Sequence, residues 1–145
     1  MELALAEAAR AAELGETPVG AVVAGPDGAI AGRGHNLVIA SSDPTAHAEI
    51  LAIRQACLAA KSERLPGYDL YVTLEPCAMC AAAISFARIR RLYFGAADEK
   101  GGAVEHGLRF FSASTCHHVP EVYGGIAEAR AAALLRDFFR KLRES

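Results

Sequence analysis

Alanine, leucine and glutamate interleave over residues 2–14, with Leu3, Ala6, Arg10 and Leu14 at a weak helical period, which predicts a first helix stopped by Gly15. Pro18 to Ala24 is a short apolar run of strand character. Gly25-Pro26-Asp27-Gly28 is a turn, and Ala29 to Gly34 completes a predicted hairpin. A polar loop, Ser41 to Thr45, leads into an apolar-periodic helix over about 45–60. The run Leu70-Tyr71-Val72-Thr73-Leu74 marks a strand within 68–74, and Pro76 opens a short apolar helix, because proline suits the first helical position. Ile89 to Phe94 reads as another strand, closed by Gly95. Residues 95–116 form a long connection with room for a short helix near His106 to Phe111. A weak strand over 117–122 and then Gly124-Gly125 precede a C-terminal helix, Ala127 to Leu142. Strand and helix alternate from residue 45 onward. That order predicts an α/β protein, a sheet with helices on both faces whose later strands run parallel through helical crossovers.

Composition narrows the class more than the fold. The 145 residues suit one domain, 1–145, large enough to bury a core, and an apolar share of 52% with 22% charged residues is a globular balance. No apolar run approaches the roughly 18 residues of a membrane span, and the N-terminus does not resemble a signal peptide. Cys57, Cys77, Cys80 and Cys116 are too few and too unevenly spaced for a disulfide framework, so a reducing cytoplasm is expected. Net charge is −2, which excludes a bulk polyanion binder. Residues 1–60 carry 3 basic and 7 acidic groups, and residues 61–145 carry 12 and 10. The basic clusters, Arg88 to Arg91 and Arg136 to Arg143, read either as solvated faces or as a local nucleic-acid surface.

Candidate chemistry lies at two predicted helix starts. Cys77 and Cys80 are three apart just after Pro76, so their side chains share one face of a first turn near the positive end of the helix dipole. That setting favours thiolate and metal binding. Alone, the pair describes a redox site equally well, although proline directly before the first cysteine is unlike that arrangement. His47-Ala48-Glu49 opens the other helix, 30 residues before Cys77. One imidazole and two thiolates are three ligands for zinc, leaving a fourth tetrahedral position for water, the mark of a catalytic site. Zinc acidifies such a water, and a neighbouring carboxylate can move its proton. His-x-Glu followed by Pro-Cys-x-x-Cys is the zinc-deaminase signature.

Over nearly its whole length the chain resembles the bacterial tRNA-specific adenosine deaminases of the cytidine-deaminase-like superfamily. The resemblance is carried by Thr17-Pro18-Val19-Gly20-Ala21-Val22, Asp43-Pro44-Thr45-Ala46-His47-Ala48-Glu49-Ile50, the block Leu70 to Cys80, Phe94-Gly95-Ala96 and Leu134-Leu135-Arg136-Asp137-Phe138-Phe139. It implies a three-layer α/β/α fold around a central mixed sheet of about five strands. It also implies that His47, Cys77 and Cys80 hold one Zn2+ per subunit and that Glu49 is the catalytic proton shuttle. The implied activity is hydrolytic deamination of adenosine to inosine at wobble position 34 of an arginine tRNA anticodon. The enzyme would be a cytoplasmic homodimer whose neighbouring subunit helps shape each site. Asn36 and Ala48 would bind the target nucleotide, Asp98 and Lys100 would meet flanking anticodon nucleotides, and Phe139 and Arg140 would border the RNA. His35, the stretch Ala83 to Arg88 and the stretch Gly102 to Gly107 depart from the family pattern.

Two rival readings share these residues. One is a deaminase of free guanine, cytosine or a nucleoside; the other is a non-catalytic, zinc-stabilised RNA-binding module, against which an intact Glu49 speaks. Cys57 and Cys116 are expected as buried structural thiols, His106 as a surface or interface residue, and Phe110 and Phe111 as packing aromatics.

Overall fold

The computed structural model describes residues 1–145. Helix α1 spans Glu2–Glu13, and Gly15 leaves it at φ +76°, a conformation that glycine adopts without a Cβ penalty. Strands β1 (Gly20–Ala24) and β2 (Ile30–His35) form the predicted antiparallel hairpin. Then come α2 (Ala48–Ala60), β3 (Asp69–Leu74), α3 (Ala78–Phe86) and β4 (Arg91–Ala96). A 3-10 turn at Phe110–Ser112, β5 (Glu121–Tyr123) and α4 (Glu128–Glu144) complete the chain.

The five strands lie in the order β2-β1-β3-β4-β5, with β1 antiparallel to both neighbours and β3, β4 and β5 parallel. Helices α2 and α3 cover one face and α1 and α4 the other, giving the expected three-layer mixed sheet. The main core lies between strand residues such as Val23, Leu70, Val72 and Leu92 and the helix residues Ala52, Ile53, Ala56 and Ile84. Tyr71, Tyr93 and Tyr123, brought side by side by the strand register, stack with ring centroids 4.6 and 5.1 Å apart.

Four local expectations need correction. Only β3 to β4 crosses through an α-helix; β4 reaches β5 through residues 97–120, which hold just the 3-10 turn. Gly95 lies inside β4, because Leu74 pairs with Ala96 and the Glu75 N–H donates to the Ala96 carbonyl at 2.8 Å, extending the ladder. The helix expected at 106–111 shrinks to that turn, since Gly107 and Arg109 both take left-handed backbone, at φ +55° and +48°. The late strand is confined to Glu121–Tyr123: the Ser85 hydroxyl donates to the His118 carbonyl at 2.7 Å and holds that segment against α3.

Helix α2 lies close on the hairpin because Ala48, Ala52 and Ala56, four residues apart, form a fully buried small seam. A Cβ at Gly34 would sit 2.8 Å from the Ala48 carbonyl oxygen, so only glycine lets the start of α2 settle over the end of β2. Topology then gathers the functional segments. The ends of β2, β3 and β4 and the beginning of β1 all reach one edge of the sheet, the edge outside the carboxyl ends of the parallel strands where α/β sheets bind ligands.

Candidate active site

His47 and Cys77 are not inside their helices but cap them: His47 is the N-cap of α2 and Cys77 the N-cap of α3. Both helices thus begin later than the sequence pattern predicts. At Cys77 the displacement has a local cause, because the Pro76 carbonyl accepts the Ala103 N–H at 2.9 Å while the Cys77 carbonyl opens the helical ladder to Ala81. Cys80 is then the third helical residue. An N-cap side chain and the residue three further on share one corner of a helix, which is why this spacing brings two sulfurs together.

His47 Nδ1 lies 3.7 Å from Cys77 Sγ and 3.5 Å from Cys80 Sγ, and one donor atom from each of the three residues falls within 4.8 Å of the others. Around a tetrahedral zinc with Zn–S of about 2.3 Å and Zn–N of about 2.0 Å, the N···S edge is about 3.5 Å. The donor set therefore fits that ion in both chemistry and size. Cys80 is fully buried, whereas His47 and Cys77 line an open cavity of about 460 Å³.

Glu49, only 4% exposed, lines the same cavity. Burial pushes its carboxyl up to about 7. Hydrogen bonding to the Cys80 thiol, reinforced by the His47 ring, pulls the Cys77 thiol down to about 4. Cys77 and burial together push the Cys80 thiol up, and the Cys77 partner raises the His47 imidazole. One thiolate is thus already favoured among the donors, beside a carboxyl able to exchange a proton near neutrality.

Residues 1–96 match the cytidine and deoxycytidylate deaminase zinc-binding region. A tRNA-specific adenosine deaminase of Agrobacterium fabrum is 63% identical over 143 residues, 99% of this chain and 93% of the relative. The chain belongs to this deaminase family. A solved structure from work on A-to-I editing by tRNA:A34 deaminases at the wobble position of transfer RNA is similar to the deaminase with a TM-score of 0.91. It is 63% identical, covering 93% of this chain and 97% of that one. A guanine deaminase from Nitrosomonas europaea has the same fold at TM-score 0.70 and 26% identity, covering 94% of this chain and 79% of that one.

In the deaminase, Asn36 lines the cavity and its Oδ1 accepts the Ala48 N–H at 2.9 Å, which turns its amide nitrogen away from the helix. The Ala48 side chain is fully buried, and its N–H is engaged by that bond. Asp98 belongs to the cavity and to a neighbouring groove of about 570 Å³, and its Oδ1 accepts the N–H groups of Lys100 and Gly101 at 3.1 and 2.9 Å. Lys100 and Phe139 line the groove. Arg140 does not: its guanidinium lies 3.8 Å from Asp137, and Arg143, three positions further along α4, faces the groove in its place.

Several contributors escaped the sequence reading. Glu16, 2% exposed, accepts the N–H groups of Ile39 and Ala40 at 3.1 and 2.7 Å and so shapes a wall containing Val38 and Ile39. Thr17 and Leu74 belong to both cavity and groove; they lie within the segments that carry the resemblance, and that is their only signal. Cys57 and Cys116 are half-buried rather than buried. His118 Nε2 donates to the Ile89 carbonyl at 2.7 Å and the His118 carbonyl accepts the Ser85 hydroxyl of α3, so the Cys116-His117-His118 run forms a strap against the end of that helix.

Proposed function

We propose that this deaminase hydrolyses the adenosine at wobble position 34 of a tRNA anticodon to inosine, with an arginine tRNA as substrate. Each cytoplasmic subunit of a homodimer would act as one catalytic domain, 1–145. The observation that carries the reading is the continuity of the two hollows. Cavity and groove share Thr17, Leu74 and Asp98, so a base held beside Glu49 has its neighbouring nucleotides over Lys100, Phe139 and Arg143. A free base uses only the first hollow. A loop nucleotide can be splayed into such a pocket while its neighbours stay outside.

His47, Cys77 and Cys80 would hold zinc, whose chemistry is to polarise and acidify water at neutral pH. The chain's own groups do the rest. The Asn36 amide orients the nucleotide, and as water adds at C6 the buried Glu49 carboxylate takes one of its protons and delivers it to ring N1, leaving a hydroxyl at C6. Glu49 then takes the proton of the added hydroxyl and passes it to the departing amino group. One water is consumed and one ammonia released for each inosine formed. Exposed apolar residues on the α2 and α3 side, Leu58 and Phe86, supply surface for the dimer to cover.

Substrate comparison is the decisive experiment. Inosine is expected to form in an arginine tRNA anticodon stem-loop far faster than in free adenosine. Turnover of free guanine or cytosine at a comparable kcat/KM would overturn the proposal and support a metabolic deaminase instead.

A further inference from the structure

Glu75 is a buried carboxylate that the deamination chemistry does not use, and its side chain has no exposed area. It stands directly after β3 and two residues before Cys77. Its backbone N–H continues the sheet ladder to Ala96, so it is held as rigidly as the strand. Five donors converge on it. Oε1 accepts the Asp98 N–H at 3.0 Å and faces His106 Nδ1 at 2.8 Å; Oε2 accepts the N–H groups of Val104, Glu105 and His106 at 3.1, 2.9 and 3.1 Å. These donors come from both ends of the segment 98–106, which carries Asp98, Lys100 and Gly101 between them.

The packing is as specific as the bonding. A Cβ at Gly102 would sit 2.5 Å from Glu75 Cδ, so a side chain there would force the carboxylate and loop apart. The His106 ring, by contrast, is part-exposed and lines neither cavity nor groove, so it reaches the site only through Glu75. Of the five donors, His106 Nδ1 alone belongs to a side chain.

We propose that Glu75 and His106 are positioning residues, a latch that clamps the 98–106 loop to the end of β3 and so sets the RNA-facing wall of the pocket relative to the metal donors. The proposal rests on the tRNA reading above for its functional effect. A loop pinned at both ends presents Asp98 and Lys100 in one arrangement to the nucleotides flanking the target. Releasing one end weakens binding of a long substrate while leaving the reacting base and Glu49 in place.

His106→Ala removes one side-chain bond at a part-exposed residue and leaves the four backbone donors, so the fold and metal content are expected to persist. KM for the anticodon stem-loop is expected to rise about tenfold, with kcat within about twofold of the parent. His106→Asn, whose Nδ2 can replace Nδ1 as donor, is expected to restore KM. Backbone amide exchange at Asp98, Val104, Glu105 and His106 is expected to accelerate about tenfold in His106→Ala and not in His106→Asn. An unchanged KM, a kcat loss as large as the KM change, or a failure of asparagine to rescue would overturn the latch. If the parent chain edits no stem-loop, the functional reading falls by itself. The exchange rates still judge the latch, and unaltered protection of those four amides in His106→Ala refutes it.

Discussion

Glu49 shows how a single residue changes role with its surroundings. Exposed on a helix, a glutamate in the first turn would merely favour the dipole. Here α2 buries it at 4% exposure in the wall of a cavity whose other wall holds two metal-ligand candidates, and its carboxyl is lifted to about 7. Glu49→Gln keeps the shape and removes the exchangeable proton. We expect that variant to fold and retain zinc while deamination falls by about 10²–10⁴-fold, checked by single-turnover inosine formation alongside metal analysis. Near-parental turnover would remove Glu49 from the mechanism. Glu75, a second buried carboxylate, differs in kind. Burial opposes its charge, but the Asp98 N–H, the His106 ring and the Glu105 and Val104 N–H groups outweigh that penalty and hold it below the ordinary carboxylate range. An acceptor whose charged form is favoured anchors a loop; a group near neutrality moves protons.

At the scale of elements, function depends on where helices begin and how closely they lie. His47 and Cys77 are both N-caps, so each donor is fixed by the first turn of a helix while remaining outside its backbone ladder. The opposite face shows the same dependence on close approach. A Cβ at Gly95 would sit 2.6 Å from the Thr73 carbonyl oxygen and 2.9 Å from the Cβ of Ala131, the buried residue of α4. Gly95→Ala therefore has to push β3 or α4 outward. We expect a loss of about 1–3 kcal/mol, read as a lower urea midpoint at unchanged m-value. An unaltered midpoint would mean that α4 shifts freely. Because α4 also carries Phe139 and Arg143, the same variant is expected to weaken RNA binding.

For the whole molecule, charge placement matters more than charge balance. Two of the three arginines in the cluster at Arg88 to Arg91 are matched by carboxylates: Arg90 makes a two-pronged pair with Asp69 at 2.9 and 3.0 Å, and Arg91 meets Glu121 at 3.3 Å. Arg130 pairs with Glu2 across α1 and α4. These exposed pairs contribute little stability, but they withdraw cations from the pool free to meet phosphate. Lys100 and Arg143 are left facing the groove beside the cavity. Replacing either with alanine is expected to raise the stem-loop Kd and to flatten its salt dependence, by about 0.7 in log–log slope for each phosphate that is no longer neutralised. Fluorescence anisotropy across a salt series measures both. An unchanged slope would place the RNA elsewhere. No helix is long and apolar enough to cross a membrane.

Sequence by itself determined what depends on local pattern. Residue spacing carried the hairpin, the alternation of strand and helix, the donor set His47, Cys77 and Cys80, and the carboxylate beside them, because periodicity and helix-start chemistry are written within a few consecutive residues. What depends on distant pairs was not legible. Strand register alone extended β4 past Gly95. The bond from the part-exposed His106 to Glu75 had no sequence signal. Rotation along α4 put Arg143, not Arg140, over the groove. For β4 and His106 the deciding partner lies far away in the chain, and the groove that α4 faces is built from distant segments, so only the closed sheet brings them together.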